Sequence, residues 1–159
     1  MTWRHRLRTL VRALHDLSAT EWLELLRAQR ALLAAQWLKL TRPVGRLVSR
    51  SDSARPAASS PARPTPDDVR IAQRLALAVT RVAVHGVFHP QCLVRALALH
   101  RMLEARGIAG SRLCIGVRHH GGEFLAHAWV EYGQLVLGDD LDHVQTFAQL
   151  PDVQVVRQS

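Results

Sequence analysis

Hydrophobic residues recur at helical spacing in four stretches of the chain. Residues 2–17 have one apolar face and one arginine-rich face, which predicts a basic amphipathic helix. The next stretch begins at Ser18, which forms a capping box with Glu21. It is apolar over more than one face and must therefore pack on another element. We expect its tryptophans, Trp22 and Trp37, to lie in the core.

Two more helices are predicted after a segment rich in proline, serine and arginine at residues 42–64. One begins at Pro66, which follows a threonine cap and precedes two acidic residues. The other begins after Pro90, because proline disfavours helical geometry in the residue before it. Cys92 falls in the first turn of this helix, and Gly107 ends it.

The last third of the chain alternates apolar and polar residues, which predicts three strands. The predicted strands cover residues 112–118, 124–132 and 134–140. Turns are expected at His119–Gly122 and Tyr132–Gly133, and a short helix over residues 141–150. Counting from the second turn places His127 opposite residue 137 or 138 of the third strand.

Charge divides the chain into two parts. The net charge is +8; residues 1–64 carry 12 basic and 4 acidic residues, whereas residues 65–159 carry 9 of each. We therefore predict a basic helical N-terminal extension (1–41), a linker (42–64) and a neutral domain (65–159). Neutrality of the last part argues against a nucleic-acid substrate. The basic extension leaves open contact with an acidic partner, with nucleic acid or with a membrane surface.

Composition also indicates the compartment. No apolar run is long enough to span a bilayer, and the arginine-rich start lacks the apolar core and cleavage site of a signal peptide. Two cysteines, Cys92 and Cys114, are too few for a disulfide framework. We expect reduced thiols and a cytoplasmic protein.

Three residue types in chain order supply the chemistry of a cysteine nucleophile. At Cys92 the helix dipole and unpaired N–H groups favour a thiolate. His127 lies on the second predicted strand and could act as the base. Asp139 or Asp140, at the end of the third predicted strand, could orient the imidazole. Neighbouring residues of a strand point to opposite faces, so only one of these acids can serve. Taken singly, each residue is more often structural; the combination favours a triad.

Five short segments carry a family pattern. They are Cys92–Leu99, Leu103–Ile108, Ile115–Arg118, Ala126–Glu131 and Leu137–Asp140. Together they resemble the transglutaminase-like cysteine proteases, and most closely the lasso-peptide leader peptidases. The resemblance implies an α+β fold with a papain/transglutaminase-like core, in which the nucleophile helix packs on a small antiparallel sheet. It also implies Cys92 as nucleophile, His127 as base and Asp139, 12 residues after the histidine, as the third member of the triad.

The resemblance further implies a function and partners. Lasso-peptide leader peptidases remove the leader from a ribosomally made precursor through a thioester acyl-enzyme, and a cyclase then closes the ring. In many such systems a separate leader-recognition protein, the RiPP recognition element, holds the leader. The first 64 residues lack the strand-rich pattern of that protein. We therefore expect a stand-alone cysteine endopeptidase that works without a cofactor, with the precursor, the recognition protein and the cyclase as partners.

Other interpretations stay open from the sequence. An acyl transferase would share the thioester intermediate, and a non-catalytic binding module would keep the fold and use its basic arm. A zinc site would need Cys92, Cys114 and some of the nine histidines, but no paired-ligand motif supports it. Cys114 lies within a predicted strand, where we expect it to be buried and inert. Gln91 is a candidate second donor to an oxyanion.

Overall fold

The computed structural model describes residues 18–41, 64–86 and 88–150. Within these ranges the helices are α1 (Ala19–Thr41), α2 (Pro66–His85), α3 (Cys92–Ala105) and α4 (Leu141–Gln145). The strands are β1 (Ser111–His120), β2 (Glu123–Tyr132), β3 (Leu135–Leu137) and β4 (Ala148–Gln149). The helix predicted over residues 2–17 and nearly all of the predicted linker lie outside the described residues.

The helix starts predicted from capping residues are confirmed. At the start of α1, the Ser18 N–H donates to Glu21 Oε2 at 2.8 Å, and the Glu21 N–H donates to Ser18 Oγ at 3.3 Å. These are the two reciprocal bonds of a capping box. At the start of α2, Thr65 Oγ1 accepts from the Asp68 N–H at 3.1 Å.

Helix α1 buries only one of its faces, against α2 and α3. The two tryptophans expected in the core are instead exposed: Trp22 is 41% and Trp37 is 64% accessible. The reason is steric, because alanines such as Ala28 and Ala35 occupy the buried face and let the helices approach closely. The sequence shows that α1 has more than one apolar face but does not show which face the neighbouring helices cover.

Polar contacts show that α1 and α3 run antiparallel. At one end, Glu24 lies 3.8 Å from the guanidinium of Arg106. At the other end, Lys39 Nζ donates to Oε1 of Gln91, the residue before α3. The C-terminal end of α1 therefore lies beside the start of α3.

The four strands form one antiparallel sheet in the order β3-β2-β1-β4. The β1–β2 turn contains only Gly121 and Gly122, whose φ angles are 61° and 85°. Successive positive φ angles at a two-residue hairpin turn require glycine-like residues. The expected turn over His119–Gly122 was therefore too long, and His119 is paired with Phe124 within the ladder.

The third strand differs most from expectation. It has three residues rather than seven, and it pairs Tyr132 with Leu135 and Val130 with Leu137. The turn is thus Gly133–Gln134 instead of Tyr132–Gly133, which moves the register by two residues. The predicted helix over 141–150 is also shorter, because the chain after α4 adds β4 to the edge of β1.

The sheet separates two apolar clusters. On one face of the sheet, Leu113 of β1 and Ala128 and Val130 of β2 pack into the core made by α1, α2 and α3. On the other face lies a smaller cluster of Cys114, Trp129, Val144 and Phe147. The expected α+β architecture, with the Cys92 helix packed on a small antiparallel sheet, is confirmed. Among the described helices, none combines the length and the apolar character needed to cross a bilayer.

Candidate active site

Cys92 is the first residue of α3, as the proline and the helical spacing predicted. The preceding residue, Gln91, is the N-cap, and its side chain makes no capping bond. The backbone N–H groups of the first turn have no acceptors within the helix, and they direct their positive ends toward the thiol. Cys92 is partly exposed, whereas Cys114 is buried.

The side chains of His127 and Asp139 form a short hydrogen bond. His127 Nε2 lies 2.7 Å from Asp139 Oδ2, and the two side chains are only 14% and 17% exposed. The second carboxylate oxygen of Asp139 accepts from the Asp140 N–H at 2.9 Å. With Nε2 donating to the carboxylate, Nδ1 is the imidazole nitrogen that keeps a free electron pair.

The two adjacent acids have different partners. Asp139 contacts the histidine, whereas Asp140 is the N-cap of α4 and accepts from the Asp142 N–H at 2.9 Å. The sequence left Asp139 and Asp140 as alternatives, and their hydrogen bonds now distinguish them. Of the two, Asp139 is therefore the candidate partner of the histidine, and Asp140 caps a helix.

The short third strand explains how residues from both faces of the sheet meet. Beyond Val130, β2 has no β3 partner, so its edge is open beside His127. Asp139 lies at this open edge and lines a narrow pocket that Cys92 and Ala128 also line. The carboxylate therefore contacts the histidine on one side and faces the cysteine pocket on the other. Cys92 packs on the helical side of the sheet, whereas the His127 ring lies with Trp129 and Phe147 on the other side. In the described residues the thiol makes no hydrogen bond to His127, and Asp139 is the residue that both contacts the histidine and lines the cysteine pocket.

An aromatic cage surrounds the ring of His127. Phe147 stacks on it with ring centres 5.2 Å apart, and Trp129 lies parallel at 6.2 Å. The edge of His143 meets it at 4.9 Å. These contacts restrict rotation of the imidazole. The sequence did not predict the contacts of His143 and Phe147, since nothing in their local spacing indicates that α4 and the segment after it fold back over β2.

Gly116 is the residue of β1 that makes this cage fit. It is paired with His127 across the ladder. A Cβ atom at this position would lie 2.8 Å from Phe147 Cβ and 2.8 Å from the Trp129 ring. The absence of a side chain at Gly116 therefore lets both aromatic residues approach the histidine.

The remaining candidates lie apart from this pair. Cys114 is buried, as expected, on the side of Trp129. Gln91 lies beside the nucleophile, with its side-chain oxygen engaged by Lys39. In the ranges that the structure describes, no group of three or more His, Cys, Asp or Glu side chains is arranged to hold a metal ion.

A comparison with protein families agrees with this geometry. Residues 25–152 match the model of the transglutaminase-like superfamily, and the chain belongs to this superfamily. Its fold typically serves cysteine proteases and acyltransferases. Searches of curated proteins and of solved structures gave no significant match.

Proposed function

We propose that this protein is a cysteine endopeptidase that removes the leader from a lasso-peptide precursor. The observation that carries the proposal is the 2.7 Å contact of His127 with Asp139, at a pocket whose wall includes Cys92 at the start of a helix. A nucleophile, a base and an orienting carboxylate are the parts that peptide cleavage through a thioester needs. The sequence pattern of these segments resembles leader peptidases and supports this choice of substrate.

The proposed reaction has two halves. His127 Nδ1 takes the proton of the Cys92 thiol, and the sulfur attacks the carbonyl carbon of the scissile peptide bond. The C–N bond then breaks, and the imidazolium returns the proton to the leaving amine. Water attacks the resulting thioester while His127 takes a proton from it, and the thiol is released protonated. Throughout, Asp139 holds the imidazole and stabilises its charged form.

The start of α3 also provides a donor for the oxyanion. The backbone N–H of Cys92 has no acceptor within the helix, because it belongs to the first turn. Such preorganised N–H groups stabilise the negative oxygen of a tetrahedral intermediate. Gln91 adjoins this position; its side-chain oxygen accepts from Lys39, and its NH2 group is the candidate second donor.

We further propose that the leader-recognition protein docks on the exposed apolar side of α1. This surface, the α1 stripe, consists of Trp22, Leu26, Leu33, Trp37 and Leu40. These residues follow helical spacing along one face over nearly the whole helix. Lys39, near the C-terminal end of α1 but on the side that packs toward α3, contacts Gln91 next to the nucleophile. A protein docked on the stripe would lie across α1 from Cys92, and its bound leader would pass the C-terminal end of the helix to reach the cysteine. The cyclase then receives the cleaved product, in a cytoplasm that keeps the thiols reduced.

Mass spectrometry of the precursor incubated with this protein and its recognition protein tests the proposed activity. We expect leader and core peptides whose summed mass equals that of the precursor plus one water. Cys92→Ala should abolish cleavage, and Cys114→Ala, the matched control, should keep it. An amine adduct of the precursor would instead identify an acyl transferase. An intact precursor in all samples would refute the proposal.

Alkylation by iodoacetamide tests the triad without a substrate. We expect Cys92 to react at pH 7 at least tenfold faster than free glutathione, since a thiolate is the reactive form. His127→Asn should remove most of this advantage, because the base is lost while the exposure of Cys92 is kept. A Cys92 that reacts no faster than glutathione in both proteins would indicate a non-catalytic binding module.

A further inference from the structure

An open groove lies between α2 and the outer edge of β3. Its volume is about 740 Å³, which falls within the usual range for ligand sites. Helix α2 contributes Gln73, Ala76, Leu77 and Thr80 to its walls, and β3 contributes all three of its residues. We call it the β3 groove.

The β3 groove is continuous with the cysteine pocket. Both are lined by Thr80, Arg95, Leu137, Gly138 and Asp139. A molecule lying in the groove would therefore reach Asp139 at the point where this carboxylate meets the cysteine pocket. No other described strand pairs with the outer edge of β3, so its outward backbone N–H and C=O groups are available to a ligand.

We propose that the β3 groove binds an extended, apolar segment of the peptide substrate as an additional strand on β3. The inference rests on the proposed function and names the site that holds the substrate next to the scissile bond. Addition of a strand to a free sheet edge supplies main-chain hydrogen bonds, while alternate side chains enter pockets. At about 3.3 Å per residue, the three residues of β3 pair with a similar number of substrate residues.

The groove walls determine which side chains fit. Leu77 on the helix side is 48% exposed, and Leu135 on the strand side is 37% exposed. An apolar side chain between them would remove both from water. At the catalytic end the groove is lined by Asp139 and Asp140, which repel an acidic residue. The guanidinium of Arg95, which also lines the groove, offsets one of these two carboxylates at most.

Amide NMR of the ¹⁵N-labelled Cys92→Ala protein tests the groove. The probe is a heptapeptide of alternating leucine and threonine, and the second probe carries aspartate in place of each leucine. We expect the leucine peptide to shift the amides of residues 135–139 and of α2 near Leu77, and the aspartate peptide to bind at least tenfold more weakly. Leu77→Arg should weaken binding of the leucine peptide at least tenfold. Leu33→Arg, an equally exposed leucine on α1 at 49%, should leave it unchanged.

Three outcomes would overturn the inference. They are the same affinity in Leu77→Arg and Leu33→Arg, amide shifts confined to other surfaces, and no shift at millimolar peptide. Retained dispersion in the Leu77→Arg spectrum shows that the variant is folded. The measurement uses a protein that cannot cleave, so loss of binding refutes the groove alone. Absence of precursor cleavage by the wild-type protein refutes the proposed function alone.

Discussion

Arg95, one turn into α3, donates a hydrogen bond of 2.9 Å from Nη2 to the carbonyl oxygen of Gly138. The bond joins the helix that begins with Cys92 to the residue that precedes Asp139. Cys92 and Asp139 are therefore tied together by one hydrogen bond between their elements, although they are 47 positions apart in the chain. Arg95 is a positioning residue in this interpretation, since it also lines the cysteine pocket but its observed bond is to the backbone that carries Asp139.

Arg95→Met should lower kcat/KM for precursor cleavage by roughly tenfold to hundredfold. Hydrogen bonds from charged donors contribute about 1.5–3 kcal/mol, and each tenfold in rate corresponds to about 1.4 kcal/mol. The loss should fall on kcat, because Asp139 would be displaced, while alkylation of Cys92 by iodoacetamide should change little. Arg101→Met, which alters an exposed arginine of the same helix, is the control. Equal activity of the two variants would contradict the positioning role.

Gly116→Ala should disturb the aromatic cage and destabilise the protein. The new methyl group would overlap Trp129 and Phe147, and overpacking of this kind costs about 1–3 kcal/mol. We expect the melting temperature to fall by about 5 °C. We also expect the cleavage rate to fall by more than the fraction of unfolded protein explains, since the cage fixes the ring of His127. Thermal unfolding followed by circular dichroism measures the first effect, and initial rates at 25 °C measure the second. Full activity in a destabilised variant would show that the cage does not position the imidazole.

Tyr132 should titrate above its ordinary value. Burial raises the pKa of its phenol, and the nearby carboxylate of Asp68 raises it further. Because the folded-state pKa exceeds the unfolded value of about 10, this group stabilises the fold below that pH, and the contribution is lost as the pH rises through the raised pKa. Tyr132 is the single tyrosine, so absorbance at 295 nm follows it alone.

The control for the Tyr132 titration is the same protein unfolded in urea. We expect the titration midpoint of the folded protein to lie above that of the unfolded protein. Tyr132→Phe should gain stability relative to the wild type when the pH is raised above 10. Coincident midpoints in buffer and in urea would contradict the burial of the phenol.

Trp37→Arg should weaken binding of the leader-recognition protein at least tenfold, measured by isothermal titration calorimetry. Large aromatic residues on an interface often contribute 2 kcal/mol or more, which is about thirtyfold in affinity. Phe124→Arg is the matched control, because this aromatic residue on β2 is 71% exposed and lies outside the α1 stripe. If both variants bind as tightly as the wild type, the recognition protein does not dock on the stripe.

Local signals in the sequence were enough to locate most elements of the site. Helix caps, the proline before α3 and the alternation around His127 depend on neighbours within a few residues, and the structure follows them closely. The place of Cys92 at a helix start was correctly predicted for this reason. Its catalytic role, with those of His127 and Asp139, stays a prediction that the proposed experiments address.

Features that depend on tertiary packing were not predicted. The tryptophans of α1 are exposed because small residues occupy its contact face, and an apolar pattern on several sides cannot indicate this. The register of β3 moved by two residues because Gly133–Gln134 forms the turn. The separate roles of Asp139 and Asp140 follow from where β3 ends and α4 begins, which hairpin counting placed incorrectly.

The position of the two cysteines on opposite faces of the sheet has a consequence for oxidation. Cys114 belongs to the cluster around Trp129, whereas Cys92 packs at the margin of the helical core. The strands between them prevent an internal disulfide, since the Cα atoms of a bridged pair must come within about 7 Å with their side chains directed at each other. A sulfenic acid formed on Cys92 therefore has no resolving thiol within the described fold, and its recovery depends on an external reductant such as glutathione.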